Sequence, residues 1–275
     1  MKVYSWYKDF FKFLEKMSQS SHKWQVYFSY YYQPHQEFLD SYFNHFPLMN
    51  FSSLKERVET IKSEDYAYLK SLIKEHNPEK IIIEAYHRCR EIFPTKIEPE
   101  VYLFVGFFSP DGFVMEFKGK PVICFGLERF KGFRLLKILF AHEYGHFLLN
   151  LTQREIPQEK KIDWFLISEG LATYLSRIVF PEYKLSDHLF LRRDRLNWLE
   201  GKKEFLKSIY YSYQFKQNIL SELLLKGDPE LDIPPQAGKY LGYLLVSDSL
   251  RKVKSEEIAS LFSEKDLFSL LKKPG

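Results

Sequence analysis

Two histidines and a glutamate near the middle of the chain have the types and spacing of a metal site. His142 and His146 are four positions apart, and Glu143 directly follows the first, in the segment KILFAHEYGHFLLN. Helical residues advance by about 100° each, so side chains four positions apart project from one face, one turn apart. Two imidazoles placed in this way can hold one zinc ion. Glu143, on the flank of that face, can reach a water on the metal without being a ligand, which is the physical content of the pattern H-E-x-x-H.

The alternative is a helix that merely contains two histidines, and the surrounding residues argue against it. The flanking positions are strongly apolar: Leu136, Ile138, Leu139, Phe140, Phe147, Leu148 and Leu149. Two histidines and a glutamate buried in such a helix would be costly unless they formed compensating bonds. A metal ion supplies those bonds, so the apolar context favours a metal site.

A catalytic zinc site needs a third protein ligand and one open position for water. A metzincin would have a glycine three residues after the second histidine and a histidine six after it, but this chain has Leu149 and Thr152 there. The order of the residues also excludes the inverzincins. Glu169 stands 23 positions after His146 in the apolar segment WFLISEGLATYL, where a solvent-facing charge is not expected. We therefore predict Glu169 as the third ligand. Gly170 and Ala172 are small, which would let this helix approach the H-E-x-x-H helix closely.

In its two segments HEYGH and SEGLATY the chain resembles the gluzincin zinc peptidases. Within that group it is similar to the predicted Zn-dependent proteases of the DUF2268 type, a peptidase-MA-like set. Two weaker motifs support the resemblance, Asp111-Gly112-Phe113 and Tyr240-Leu241-Gly242-Tyr243. The similarity covers roughly residues 100–250, and the first ninety residues match no pattern known to us.

The resemblance implies one zinc ion per chain, held by His142, His146 and Glu169. It also implies that Glu143 polarises the bound water, takes its proton and passes it to the leaving amine, while zinc polarises the scissile carbonyl. The predicted function is therefore peptide-bond hydrolysis by a zinc-dependent metallopeptidase. Whether it acts as an endopeptidase or an aminopeptidase stays open.

A further donor to the developing oxyanion usually comes from the C-terminal half in this family. Five tyrosines are candidates: Tyr210, Tyr211, Tyr213, Tyr240 and Tyr243. Tyr240 is the preferred one, because it opens a predicted helix and belongs to the late family motif. His188 is the alternative donor. Packing in the core is the competing use of each tyrosine.

One position departs from the family. Several gluzincins have an acidic residue one turn after the ligand glutamate, which supports a zinc-bound histidine through a hydrogen bond. Here that position is Thr173, so such support must come from elsewhere, and Asp163 and Glu128 are the remote candidates.

The elements that must position these residues indicate an α+β fold with a zincin-like catalytic core. Apolar residues at three- and four-residue intervals predict helices through most of residues 1–93, again at 133–151 and 163–180, and in the C-terminal part. Strand-like runs predict an antiparallel sheet of three strands within 101–127, with a turn at 109–112. We expect an N-terminal helical region, 1–95, packed on a catalytic domain, 96–275.

The substrate is predicted to be a peptide or protein. In this architecture the last strand before the active helix commonly pairs with an extended peptide, and PVICFGLE (121–128) occupies that place. Aromatic residues such as Phe125 and Tyr144 would then line a cleft that favours apolar side chains.

Composition and charge also bear on binding partners and cellular location. A formal net charge of +4, evenly spread, gives no argument for nucleic acid or membrane binding. No apolar run is long enough for a membrane span, and the lysine-rich start does not resemble a signal peptide. Cys89 and Cys124 lack the spacing of a metal or redox motif, which favours two free thiols and a cytoplasmic location. The amphipathic N-terminal helix carries both charge signs, so packing on the protein is favoured over a membrane surface.

Two other function classes remain open. The first is a catalytically silent relative that keeps zinc and works as a binding or regulatory module, although a purely structural site has no use for Glu143 and prefers four protein ligands. The second is a helical interaction protein whose histidines bind no metal. The oligomeric state is not predicted.

Overall fold

The structure, a computed structural model, describes residues 1–46, 51–107, 110–152, 155–251, 253, 255–262 and 267–271. Most of these residues are helical, and the strands form one small sheet, so the α+β class is confirmed. None of the described helices is both long enough and apolar enough to cross a membrane.

The helices follow the predicted periodicity closely. In chain order they are α1 (Tyr7–Met17), α2 (Lys23–Tyr27), α3 (Gln36–His45), α4 (Phe51–Thr60), α5 (Ala67–His76), α6 (Pro78–Ile92), α7 (Leu136–Asn150), α8 (Lys161–Val179), α9 (Leu185–His188), α10 (Arg193–Gly201), α11 (Lys203–Tyr213), α12 (Gln217–Ser221), α13 (Ala237–Leu250) and α14 (Ser255–Leu261). The helices predicted at 133–151 and 163–180 correspond to α7 and α8.

The sheet differs from the prediction in size and in direction. Its strands are β1 (Lys2–Ser5), β2 (Glu100–Phe104), β3 (Gly112–Phe117) and β4 (Lys120–Gly126), in the order β1-β2-β4-β3. β1, β2 and β4 are parallel, and only β3 runs antiparallel to its neighbour β4. The predicted antiparallel sheet of three strands is therefore wrong: the sheet is mixed and has a fourth strand at the N-terminus.

The strand order also corrects the predicted substrate strand. β4 pairs with β2 on one side and with β3 on the other, so both of its edges are already hydrogen-bonded. β3 lies at an edge of the sheet formed by the described residues. The predicted turn at 109–112 lies partly outside those residues and does not join paired strands, because β2 and β3 are not neighbours.

A tight hairpin joins β3 to β4. Phe117 is opposite Lys120, which leaves a two-residue loop of Lys118 and Gly119. Both loop residues have positive φ, 53° and 72°, the conformation in which a tight turn matches the twist of the two strands.

The chain forms two compact units. The first comprises residues 1–87 and 96–143, and the second comprises 88–95 and 144–275. These limits differ from the division at residue 95 suggested by the sequence, and the catalytic domain predicted for 96–275 includes parts of both units. That functional division stays a prediction.

Aromatic side chains form much of the core of the first unit. Phe38 of α3 stacks on Tyr102 of β2 with ring centroids 4.5 Å apart, and Tyr42 meets Phe104 edge to face at 5.0 Å. Such pairs add to the free energy gained by burying the rings. These ring pairs join α3 to the sheet.

In the second unit, helices α8 and α13 pack closely through glycines. A Cβ on Gly170 would lie 2.7 Å from the carbonyl carbon of Gly242, and a Cβ on Gly242 would lie 3.0 Å from that of Leu166. Any larger residue at either position would meet the backbone of the opposite helix. This contact fixes the part of α8 that carries Glu169.

Candidate metal centre

Helix α7 carries His142, Glu143 and His146 in the predicted arrangement. It is apolar on all sides, as expected of a buried helix. His142 and Glu143 are themselves buried, with 4% and 5% of their surfaces exposed, while the side chain of His146 is 17% exposed. The three polar side chains therefore lie in a largely apolar environment.

Helix α8 brings Glu169 to the two histidines. One potential ligand atom from each of His142, His146 and Glu169 lies within 4.8 Å of the other two. The Nε2 atom of His146 is 3.6 Å from Oε1 of Glu169. Two atoms that each lie about 2.1 Å from one tetrahedral zinc are roughly 3.4 Å apart, so this separation suits a shared ion. The donor set, two imidazoles and one carboxylate, is one that catalytic zinc sites use.

Small residues allow the close approach of α7 and α8, though not in the predicted way. A Cβ on Gly145 would lie 2.8 Å from the Cα of Ala172, so the glycine within HEYGH is where the two helices touch. Ala172 therefore has the predicted role. Gly170, the other small residue considered, faces α13 instead.

Glu143 lies close to the first residue of β3. A Cβ on Gly112 would be 3.1 Å from Cγ of Glu143, which explains why the Asp111-Gly112-Phe113 motif has its glycine there. Burial, and secondly the charge of Glu143, raise the pKa of the Cys124 thiol well above its usual value. Cys124 and Cys89 are both free, as predicted from their spacing, and both are buried.

The aromatic residues predicted to line the cleft do not line an open surface. Phe125 and Tyr144 are wholly buried, and the Tyr144 hydroxyl donates a hydrogen bond to the carbonyl oxygen of Phe93 at 2.9 Å. Their predicted role in substrate preference is wrong for this reason.

Tyr240 lies in the first turn of α13 and is buried. Burial, followed by the charges of Glu200 and Glu204, raises its pKa to about 12. These two acidic residues belong to α10 and α11, so the charges that act on the Tyr240 hydroxyl come from those two helices. The predicted role of Tyr240 as an oxyanion donor stays a prediction.

His188, the alternative donor, is a core residue of the second unit. It is wholly buried, and its Nδ1 lies 2.9 Å from Oγ of Ser176. Burial lowers its pKa to about 4, and the charge of Arg177 contributes in the same direction. Ser176 follows Glu169 by seven residues, about 10 Å along α8. His188 therefore packs against α8 about two turns away from Glu169.

The remote candidates for supporting a zinc-bound histidine have other partners. Asp163 accepts hydrogen bonds from Tyr210 and Gln217, and the backbone N–H of Gly106 donates to Glu128. Thr173 is buried, and its hydroxyl has no hydrogen-bond partner among the described residues.

Lys239 is the residue of this site that the sequence did not reveal. Its Nζ lies 3.3 Å from Oε2 of Glu169. Lys239 directly precedes Tyr240 in the late motif, which drew attention for its tyrosines alone. The sequence contains one indication of its role: Lys239 follows Gly238 at the start of an otherwise apolar helix.

The protein is thus of the α+β class and has a candidate metal centre of two histidines and a glutamate on helices α7 and α8. Residues 79–268 match the family model described as predicted Zn-dependent protease (DUF2268), which is more than half of the chain. The chain belongs to this family. The resemblance found in the sequence is thus confirmed, and it extends further than residues 100–250. No curated protein and no solved structure matches the chain.

Proposed function

We propose that this protein is a zinc-dependent peptidase with a zincin-like catalytic core. The observation that carries the proposal is the convergence of His142, His146 and Glu169, with Glu143 directly after the first of them. The description of the family supports the same activity. A module that held zinc for structure alone would not need the buried carboxylate of Glu143.

His142, His146 and Glu169 would hold one zinc ion. When bound, zinc supplies Lewis-acid polarisation of the scissile carbonyl and of water. The Glu143 carboxylate would accept a proton from the attacking water and deliver it to the nitrogen of the leaving amine as the C–N bond breaks. Glu143 is buried, so little bulk water competes for its carboxylate.

An extended peptide substrate would pair with β3 rather than with β4. Among the described strands β3 lies at a sheet edge, and a Cβ on its first residue, Gly112, would lie 3.1 Å from Cγ of Glu143. Backbone pairing at an edge strand gives affinity that is independent of sequence. The scissile bond would then lie near Glu143, which must deliver a proton to the leaving nitrogen.

A proteome-derived peptide library tests this proposal. Glu143→Gln should lower cleavage by about 10²–10⁴-fold, the usual contribution of a general acid–base group, while one zinc per chain is retained. Glu222→Gln, which alters an exposed glutamate paired with Lys226, is the control and should cleave like the wild type. Unreduced cleavage by Glu143→Gln would refute the assigned mechanism.

A further inference from the structure

Lys239 and His146 contact opposite oxygens of the Glu169 carboxylate. Oε1 is 3.6 Å from Nε2 of His146, and Oε2 is 3.3 Å from Nζ of Lys239. The glutamate side chain is only 13% exposed and that of Lys239 is 30% exposed, so this ion pair is partly shielded from water. A shielded pair is screened less by salt than a surface pair and holds its partners more firmly.

The helix packing gives this pair a fixed geometry. Glu169 directly precedes Gly170 on α8, and Lys239 lies three residues before Gly242 on α13. Those two glycines are the points where the helices approach backbone to backbone. The lysine and the glutamate are therefore attached to rigid elements next to a close contact, and not to loops.

We infer that Lys239 is a positioning residue for the metal ligand Glu169. The ammonium group holds Oε2, which leaves Oε1 directed at the histidine side of the site and makes the glutamate a ligand through one oxygen. This extends the proposed function, on which it rests, to a residue of α13. Outer partners of this kind orient a ligand before the metal arrives.

Thr173 stands where several gluzincins have an acidic residue that supports a zinc-bound histidine. In this chain Lys239 of α13 contacts the ligand glutamate itself. The metal site therefore has a positive partner on its carboxylate ligand.

The test measures zinc affinity by competition with a chelator, without reference to cleavage. Lys239→Met removes the charge and keeps most of the side-chain volume. It should weaken zinc binding by about 10–100-fold, the usual effect of losing an outer partner. Lys239→Arg keeps the charge and should restore affinity to within a few-fold of the wild type. Lys207→Met removes a lysine from a partly buried ion pair with Asp248, away from the ligands, and should have no effect.

A double-mutant cycle shows whether Lys239 acts through Glu169. In the Glu169→Gln background, Lys239→Met should change zinc affinity by less than about two-fold, because the group that it positions is already absent. The absorption spectrum of the cobalt-substituted protein supplies a second readout. It should change in Lys239→Met and return in Lys239→Arg, since the coordination of the glutamate changes and is then recovered.

Equal or tighter zinc binding by Lys239→Met would overturn the inference, because the ammonium would then only repel the metal. If that variant does not fold, Lys239→Gln takes its place with the same expected loss. The two proposals fail separately. Zinc binding that depends on Lys239 in a protein that cleaves no peptide refutes the peptidase alone. Cleavage that depends on Glu143, with zinc affinity indifferent to Lys239, refutes the positioning role alone.

Discussion

The contact between α8 and α13 makes a specific prediction for Gly242→Ala. The added Cβ would lie 3.0 Å from the carbonyl carbon of Leu166 and 3.1 Å from its Cα. Carbon atoms in favourable contact are about 3.5–4.0 Å apart, so the two helices would have to separate by roughly 0.5–1 Å. Because the obstructing atoms are backbone, no side-chain rotation can relieve the contact.

The size of the effect follows from two opposing contributions. Overpacking of a rigid core typically costs about 1–3 kcal/mol. Alanine is favoured over glycine within a helix by roughly 0.5–1 kcal/mol, which offsets part of that cost. The expected net loss is about 1–2 kcal/mol, or a decrease in Tm of about 2–8 °C for a chain of this size. Zinc affinity should decrease as well, since Glu169 and Lys239 are next to the disturbed contact.

Thermal and urea denaturation, together with a zinc titration, measure these effects. Gly201→Ala is the control, because a Cβ at this position in the last turn of α10 meets no atom within 4 Å. It should leave zinc affinity unchanged and stability the same or slightly higher. If Gly242→Ala were as stable as Gly201→Ala and bound zinc equally well, the reasoning on the glycine contact would be refuted.

Three further predictions concern the donor tyrosine, the pH dependence of stability and the metal. Tyr240→Phe should lower the cleavage rate by about 10²–10³-fold with zinc retained, which is the usual cost of losing one oxyanion donor. Tyr213→Phe alters an exposed tyrosine and should cleave like the wild type. Equal rates for the two variants would exclude Tyr240 as the oxyanion donor. Burial lowers the pKa of His188 to about 4, so this residue stays neutral in the folded protein above that pH. In the unfolded chain it is protonated below about pH 6.5. The free energy of unfolding should therefore fall by about 3 kcal/mol as the pH decreases from 6.5 to 4. His188→Gln should flatten this part of the stability curve, and an unchanged slope would contradict the assignment. Chelation should lower the stability of the wild type by about 4 kcal/mol relative to free zinc at 1,000 times its Kd, whereas His146→Ala should respond much less.

The metal-bearing helices could be predicted because their signals are local. The apolar pattern around His142 and His146 fixes α7 within a few residues, and the similar pattern around Glu169 fixes α8. Four-residue spacing on a helix then places the two histidines on one face without any knowledge of the rest of the fold. The meeting of α7 and α8 was indicated by small residues, of which Ala172 has the expected role.

The sheet could not be predicted to the same extent, because its pairing is not local. β1 contains only four residues, and Lys2 pairs with Glu100, so nothing near β1 in the sequence identifies it as a strand. The order β1-β2-β4-β3 places β4 between two strands, a result that the turn sequence at 109–112 does not indicate. An antiparallel meander was the simpler expectation and is wrong for this reason.

Lys239 illustrates the same limit within the site. Its contact with Glu169 joins residues 70 positions apart and depends on how α13 lies on α8. That packing is set by Gly170 and Gly242, whose partners cannot be recognised from the sequence alone. The ligand types of the metal site could be identified from the sequence. The contact between Lys239 and Glu169 could be identified only from the structure.

Zinc titration of the chelator-stripped protein, followed by cleavage of the peptide library, tests the proposed zinc peptidase. Cleavage should be absent without metal and rise to a plateau at one zinc per chain. Glu143→Gln should take up the same single zinc and cleave about 10²–10⁴-fold more slowly. Cleavage by the metal-free protein, or undiminished cleavage by Glu143→Gln with zinc bound, would contradict this proposal.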